Sequence, residues 1–223
     1  MQFVSTICSQ SSSSARWAGW SPLASPALFT YAIEHAIYGF LRPDLPPLAA
    51  LAPERTVVID SLSKRLAPGL TVGNMHSSPA LTDRLASALR TGTWTAARFS
   101  LAAATQWITD GTASIIEDGK RRDAATRQRM VAQRLAAFSI RADPCAYHCW
   151  WDLPEPWRAE TFVAAVARRG IAVTPAAAFT VGIGHAPSAV RLALASPSIE
   201  NLDAALDVLA GLASTSPEDV GAE

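Results

Sequence analysis

A lysine sits in the segment Ser61-Leu62-Ser63-Lys64-Arg65-Leu66-Ala67-Pro68-Gly69-Leu70, and it is one of only two lysines among the nineteen Lys and Arg residues of the chain. Arginine supplies charge and bidentate hydrogen bonds, but its guanidinium stays protonated and forms no imine. A lysine that sheds its proton attacks a carbonyl, the opening step of Schiff-base chemistry. The commoner fate of any single lysine is a solvated surface position. A solvated-surface reading must also account for the hydroxyls of Ser61 and Ser63 before Lys64 and the Ala-Pro-Gly-Leu turn after it. A second residue invites chemistry because of its surroundings. Arg191 interrupts the apolar run Val190-Arg191-Leu192-Ala193-Leu194-Ala195. A charge there is costly unless it is paired, and guanidinium pairs best with a carboxylate through two parallel hydrogen bonds.

The elements that must position these residues alternate between strand and helix. Tyr31–Glu34 and Thr56–Asp60 are short β-rich runs bounded by turn formers, and Val72–His76 is a third candidate. A helix is expected to start with Ser78 as N-cap and Pro79 at its first position, with Leu81, Leu85 and Leu89 on one face and Thr91-Gly92 closing it. Residues 95–117 read as helical with an interruption near Asp110-Gly111, and residues 119–138 as a long charged amphipathic helix. A smaller region follows, with a strand at 146–152, a helix from Arg158 to Arg169 ended by Gly170, strands at 171–174 and 189–195, and a last helix from Ser198. The first thirty residues show no clear period and are expected to be poorly ordered.

Composition bounds what the chain does. With 223 residues, 49% apolar and 17% charged, it is long and apolar enough for a substantial core in one or two domains. Formal net charge is zero and no block of like charges occurs, so nothing supplies the basic surface that nucleic-acid binding needs. No run reaches the roughly 18 apolar residues that would suggest a membrane span, the start of the chain reads as a poor signal peptide, and three cysteines fit a reducing cytoplasm. Cys145-Ala146-Tyr147-His148-Cys149 has metal-ligand residue types, but on a strand His148 would point away from both cysteines, so packing is the expected role.

Longer stretches carry a resemblance. Tyr38-Gly39-Phe40-Leu41, Leu48 through Thr56, the Lys64 segment, Gly170 through Phe179 and Ala189 through Ala195 together resemble the back half of the class I/II, fold-type I aminotransferases that use pyridoxal 5'-phosphate (PLP). Within that family the likeness is greatest to the aminotransferase-like domain of MocR-type regulators of the GntR group, which fuse it to a winged-helix DNA-binding domain. The resemblance implies an α/β fold: a partial PLP-binding large domain at 31–118, a small α+β C-terminal domain at 119–213, a divergent segment at 1–30 and a disordered tail at 214–223. It also implies a homodimer and an amino-acid substrate or effector. Any DNA-binding part would lie outside this chain.

The resemblance assigns roles residue by residue. Lys64 matches the lysine that holds PLP as an imine and moves the substrate's α-proton. Ser61 and Ser63 match hydroxyls that bond the cofactor phosphate, Tyr38 the tyrosine that donates to the ring hydroxyl oxygen, and Arg191 the arginine that grips the α-carboxylate. Two positions depart from the pattern. His35 stands where the family places an aspartate that keeps the pyridine nitrogen protonated; an uncharged imidazole can hydrogen-bond that nitrogen but does not hold it as a cation. Thr71 stands where an arginine usually pairs with the phosphate, replacing a charge-assisted bond with a neutral one about half as strong. Three readings follow: an aminotransferase-like domain with weakened activity, a domain that senses PLP or an amino-acid effector, and a non-functional remnant.

Overall fold

A computed structural model of the chain describes residues 31–92, 96–182 and 184–220. The segment 1–30, expected to be poorly ordered, lies outside the described residues. The chain divides into two compact units, the first ending at Lys120 and the second beginning at Arg121.

The first unit opens with strand β1 (Ala32–His35), a 3-10 turn at Gly39–Leu41, helix α1 (Leu48–Leu51) and a second 3-10 turn at Pro53–Arg55. Strand β2 (Thr56–Ser61) follows, then the helical turn α2 (Leu62–Arg65), strand β3 (Gly73–His76) and helices α3 (Pro79–Gly92), α4 (Arg98–Thr109) and α5 (Thr112–Arg134). The sheet order is β1-β2-β3, with β1 parallel to β2 and β3 antiparallel to it. The β-branched run Thr56-Val57-Val58-Ile59 suits the central strand. Buried Thr56 settles its hydroxyl on the Ala52 carbonyl at 2.8 Å, so it carries no unsatisfied donor into the interior.

The second unit takes in the end of α5, then strands β4 (Ser139–Ala142) and β5 (His148–Asp152), helix α6 (Ala159–Ala167), strand β6 (Thr174–Pro175) and a 3-10 turn at Ala176–Phe179. Strand β7 (Ala189–Ala193), helix α7 (Ile199–Ala213) and a helical turn α8 (Pro217–Val220) complete it, the last falling in the stretch expected to be a disordered tail. Its strands run antiparallel in the order β4-β5-β7-β6. Alternation along β5 buries Cys149 and Trp151 and leaves His148, Trp150 and Asp152 half-buried on the other face. The core gathers Trp151, Phe162 and Trp157, with Trp151 and Phe162 ring centroids 5.5 Å apart and Trp157 and Phe162 5.2 Å apart, both edge to face, the arrangement their quadrupoles favour.

Where expectation and structure differ, local chemistry explains the difference. Helix α5 runs unbroken through Gly119 instead of splitting at 118. A helical glycine costs only about 1 kcal/mol relative to alanine, and buried Ala113, Ala124 and Val131 on the same helix offset it. Ser78 precedes α3 as expected, but its buried hydroxyl has no partner among the described residues, so it makes no side-chain cap. The expected strand 171–174 appears only as Thr174–Pro175, opposite Arg191 and Val190 of β7. Strand β4 was not anticipated: four residues containing an arginine carry too weak a pattern, and pairing with β5 creates it. Gly111 (φ +83°) breaks α4 from α5 and Gly170 (φ +75°) ends α6, both in the left-handed region that favours glycine. Ser198 caps α7 by accepting from the Asn201 N–H at 3.2 Å.

Phe162 is completely buried. Phe162→Ala is expected to lower the unfolding free energy of the second unit by about 3–5 kcal/mol, read from the urea midpoint of its tryptophan fluorescence.

Candidate functional site

Parallel pairing of β1 and β2, with His35 opposite Ile59, brings the carboxyl ends of both strands to one edge of the first sheet. That edge is where open α/β sheets place ligands. His35 ends β1 and is exposed, Tyr38 follows in the turn before Gly39 and is 38% exposed, and Ser61 ends β2. Thr71, also exposed, lies just before β3, whose Gly73 pairs with Ser61. Tyr38, His35, Ser61, Ser63, Lys64 and Thr71 therefore all belong to loops or strand ends at the carboxyl end of β1 and β2. Glu34 is occupied elsewhere, its carboxylate accepting from the Ala49 N–H at 3.3 Å.

Lys64 sits on α2, and the sequence around it explains why a turn forms there. Ser61 is the N-cap: its hydroxyl accepts from the Ser63 N–H at 3.2 Å and donates to the Ser63 hydroxyl at 3.2 Å. The Ser63 hydroxyl in turn donates to the Leu70 carbonyl at 3.3 Å. Leu62, Leu66 and Leu70 are buried with Val72, Ala104 and Ala113, so the loop closes over its own apolar side chains. The Lys64 side chain is exposed and its amine has no hydrogen-bond partner among the described residues.

Several residues that hold this loop escaped the sequence reading. Arg65 pairs with Asp60 at 2.5 Å and with Glu117 at 2.9 Å, and its guanidinium lies 5.4 Å from the centre of the Phe40 ring. Burial works against its charge, but the Glu117 and Asp60 carboxylates outweigh it and raise its pKa. Lys120 donates to the Lys64 carbonyl at 2.8 Å and the Leu66 carbonyl at 2.9 Å. Its rarity was the one signal that could have singled it out, since it is the other lysine of the chain.

Arg191 belongs to the second unit. It lies on the half-buried face of its sheet, opposite Trp150 on β5 and Thr174 on β6. Its guanidinium carbon lies 5.3 Å from the centre of the Phe179 ring, and the ring of Trp150 is 6.1 Å from that of Phe179. Its Nε is buried with no hydrogen-bond partner, and no carboxylate pairs with Arg191 among the described residues. Unmet, a buried charged donor costs free energy, and an incoming carboxylate would meet it. Cys149 faces the core and His148 the other side of the strand, as the alternation predicts, and burial pushes the Cys149 thiol up to about 12.

Comparison with known proteins places this arrangement. The family described as aminotransferase class I and II matches residues 33–209. An uncharacterised HTH-type transcriptional regulator of Bacillus subtilis, YdeF, is 27% identical over 181 residues, covering 80% of this chain and 39% of its own length. Among solved structures, an archaeal alanine:glyoxylate aminotransferase superposes with a TM-score of 0.71 at 22% identity, over 82% of this chain and 47% of that one. A Thermus thermophilus aspartate aminotransferase double mutant gives 0.68 at 24% identity, over 82% and 48%. The chain thus spans about half of these structures and shares the mixed α/β fold of fold-type I aminotransferases.

His148 supplies a check on the second unit's electrostatics. Burial first, then the Arg191 guanidinium, push its imidazole below the ordinary value, with Asp143 opposing. The unfolded chain takes up this proton more readily than the folded one. Stability is therefore complete above about pH 6.5 and is lost as pH falls through the lower folded value. The urea midpoint of the wild type is expected to drop between about pH 7.5 and about pH 5.5 by more than that of His148→Gln.

Proposed function

We propose that this chain, which belongs to the class I and II aminotransferase family, is a PLP-binding, aminotransferase-like domain that acts on the α-amino group of an amino acid. The observation that carries the reading is Lys64: an amine without a partner among the described residues, on a serine-capped helical turn at the carboxyl edge of two parallel strands. The donor set fits the cofactor. Lys64 Nζ would hold it covalently, Thr71 would offer a hydroxyl to its phosphate, Ser61 and Ser63 would do so by turning the hydrogens they give to the Ser63 hydroxyl and the Leu70 carbonyl, and His35 and Tyr38 would be the polar side chains toward its ring. When bound, PLP supplies an aldehyde carbon and an electron-withdrawing ring.

The chain's own groups do the rest. Lys64 Nζ, once its amine is free, would be the base that takes the substrate's α-proton and returns it. Arg191 orients the substrate by its α-carboxylate, for which its buried Nε is an unmet donor. His35 lacks the fixed negative charge of an aspartate, which would lower carbanion stabilisation and slow proton removal. A second reading, that the domain senses PLP or an amino-acid effector for a regulator, rests on the similarity to YdeF and on His35. The proposed large and small domains are 31–118 and 119–213, in a cytoplasmic homodimer.

Purified chain mixed with PLP is expected to show a visible band that borohydride traps and that Lys64→Ala lacks; a folded protein with no such band would sink both readings. Conversion of bound PLP to pyridoxamine phosphate by an amino acid favours the enzyme, and binding without conversion the sensor. Arg191→Ala is expected to weaken amino-acid binding about 10- to 100-fold, the worth of a charge-assisted pair, in a spectral titration.

A further inference from the structure

Three consecutive residues of the lysine loop are gripped by one face of α5. Lys120 reaches the carbonyls of Lys64 and Leu66. Glu117, one turn earlier on the same helix, takes the side chain of Arg65 between them. Leu66 is buried besides. What remains without a partner among the described residues is the amine of Lys64.

We propose that Lys120 is the positioning residue for Lys64, fixing the carbonyl end of α2 so that the Lys64 amine is presented from an immobile backbone. The inference rests on the reading of Lys64 as the covalent residue. The last carbonyls of any helix lack intrahelical donors. A cation placed there satisfies them and meets the negative end of the peptide dipoles. The compact ammonium carries three donors on a rotatable stem, so two carbonyl oxygens of a tight turn can be served at once. That ammonium is kept in place at some cost. Burial first, and the neighbouring charge of Lys64 second, both lower the pKa of Lys120. A lysine needed only for solubility would sit in water. Here it is turned inward onto two backbone oxygens, in a chain with seventeen arginines and one other lysine.

The test compares Lys120→Met, which loses the cation and its donors, with Lys120→Arg, which keeps them in another shape. Hydrogen exchange of the amides in 62–66 reads the loop directly, including the Leu66 N–H that donates to the Leu62 carbonyl at 2.7 Å. Borohydride trapping at graded PLP, with the labelled peptide located by mass spectrometry, reads presentation of the amine. In Lys120→Met, exchange is expected to speed up about tenfold and the PLP needed for half-trapping at Lys64 to rise about tenfold, while Lys120→Arg stays within about threefold of wild type. Unchanged exchange and trapping in Lys120→Met overturn the proposal. If the wild type traps no PLP, the functional reading fails instead, and loop exchange alone judges Lys120 by the same criterion. If Lys120→Met does not fold, Lys120→Gln takes its place with the same expected and overturning results.

Discussion

A four-residue helical turn is too short to hold itself together in water, because nucleating a helix fixes several residues for each bond gained. The turn that carries Lys64 exists because its surroundings impose it. The Ser61 hydroxyl satisfies a donor at one end, Lys120 satisfies acceptors at the other, and Leu62, Leu66 and Leu70 bury their side chains beneath it. Arg65 then ties the turn back to the strand it left, through Asp60, and forward to α5, through Glu117. Whatever Lys64 does chemically depends on these restraints, none of which involves its own side chain.

The two cations of greatest chemical interest stand in opposite circumstances. Arg65 lies between two carboxylates and an aromatic face, so its charge is spent on structure. Arg191 has an aromatic face and no carboxylate among the described residues. A guanidinium against a ring keeps its shape and loses mobility at little electrostatic gain, which leaves it prepared for an anion. The same charge bears on its own sheet, where burial first and then the Arg191 guanidinium lower the pKa of His148.

Membership of the aminotransferase family coexists with two departures from the pattern that the resemblance implies. On the proposed reading, His35 stands where the family's pattern has a carboxylate and Thr71 where it has a guanidinium. Both stand at positions that the structure leaves exposed at the carboxyl end of β1 and just before β3. On the proposed reading, His35 would weaken carbanion stabilisation, which depends on the ring nitrogen, and Thr71 would weaken the hold on the phosphate.

The residue order by itself determined the elements with strong local signals. The β-branched run of β2, the serine before α7, the breaks at Gly111 and Gly170 and the inward alternation of β5 were legible because each depends on neighbours within a few positions. Lys64 and Arg191 stand out in the sequence because a rare lysine and a lone charge in an apolar strand are anomalies of composition. Tertiary structure decided the rest. Strand β4 forms only because β5 lies beside it, α5 continues through Gly119 on the strength of its buried neighbours, and Ser78 precedes a helix without capping it. The holders of the lysine loop were hidden for the same reason. Glu117 and Lys120 lie more than fifty positions from the residues they bind, and a contact between distant residues leaves no period or motif in the chain that encodes it.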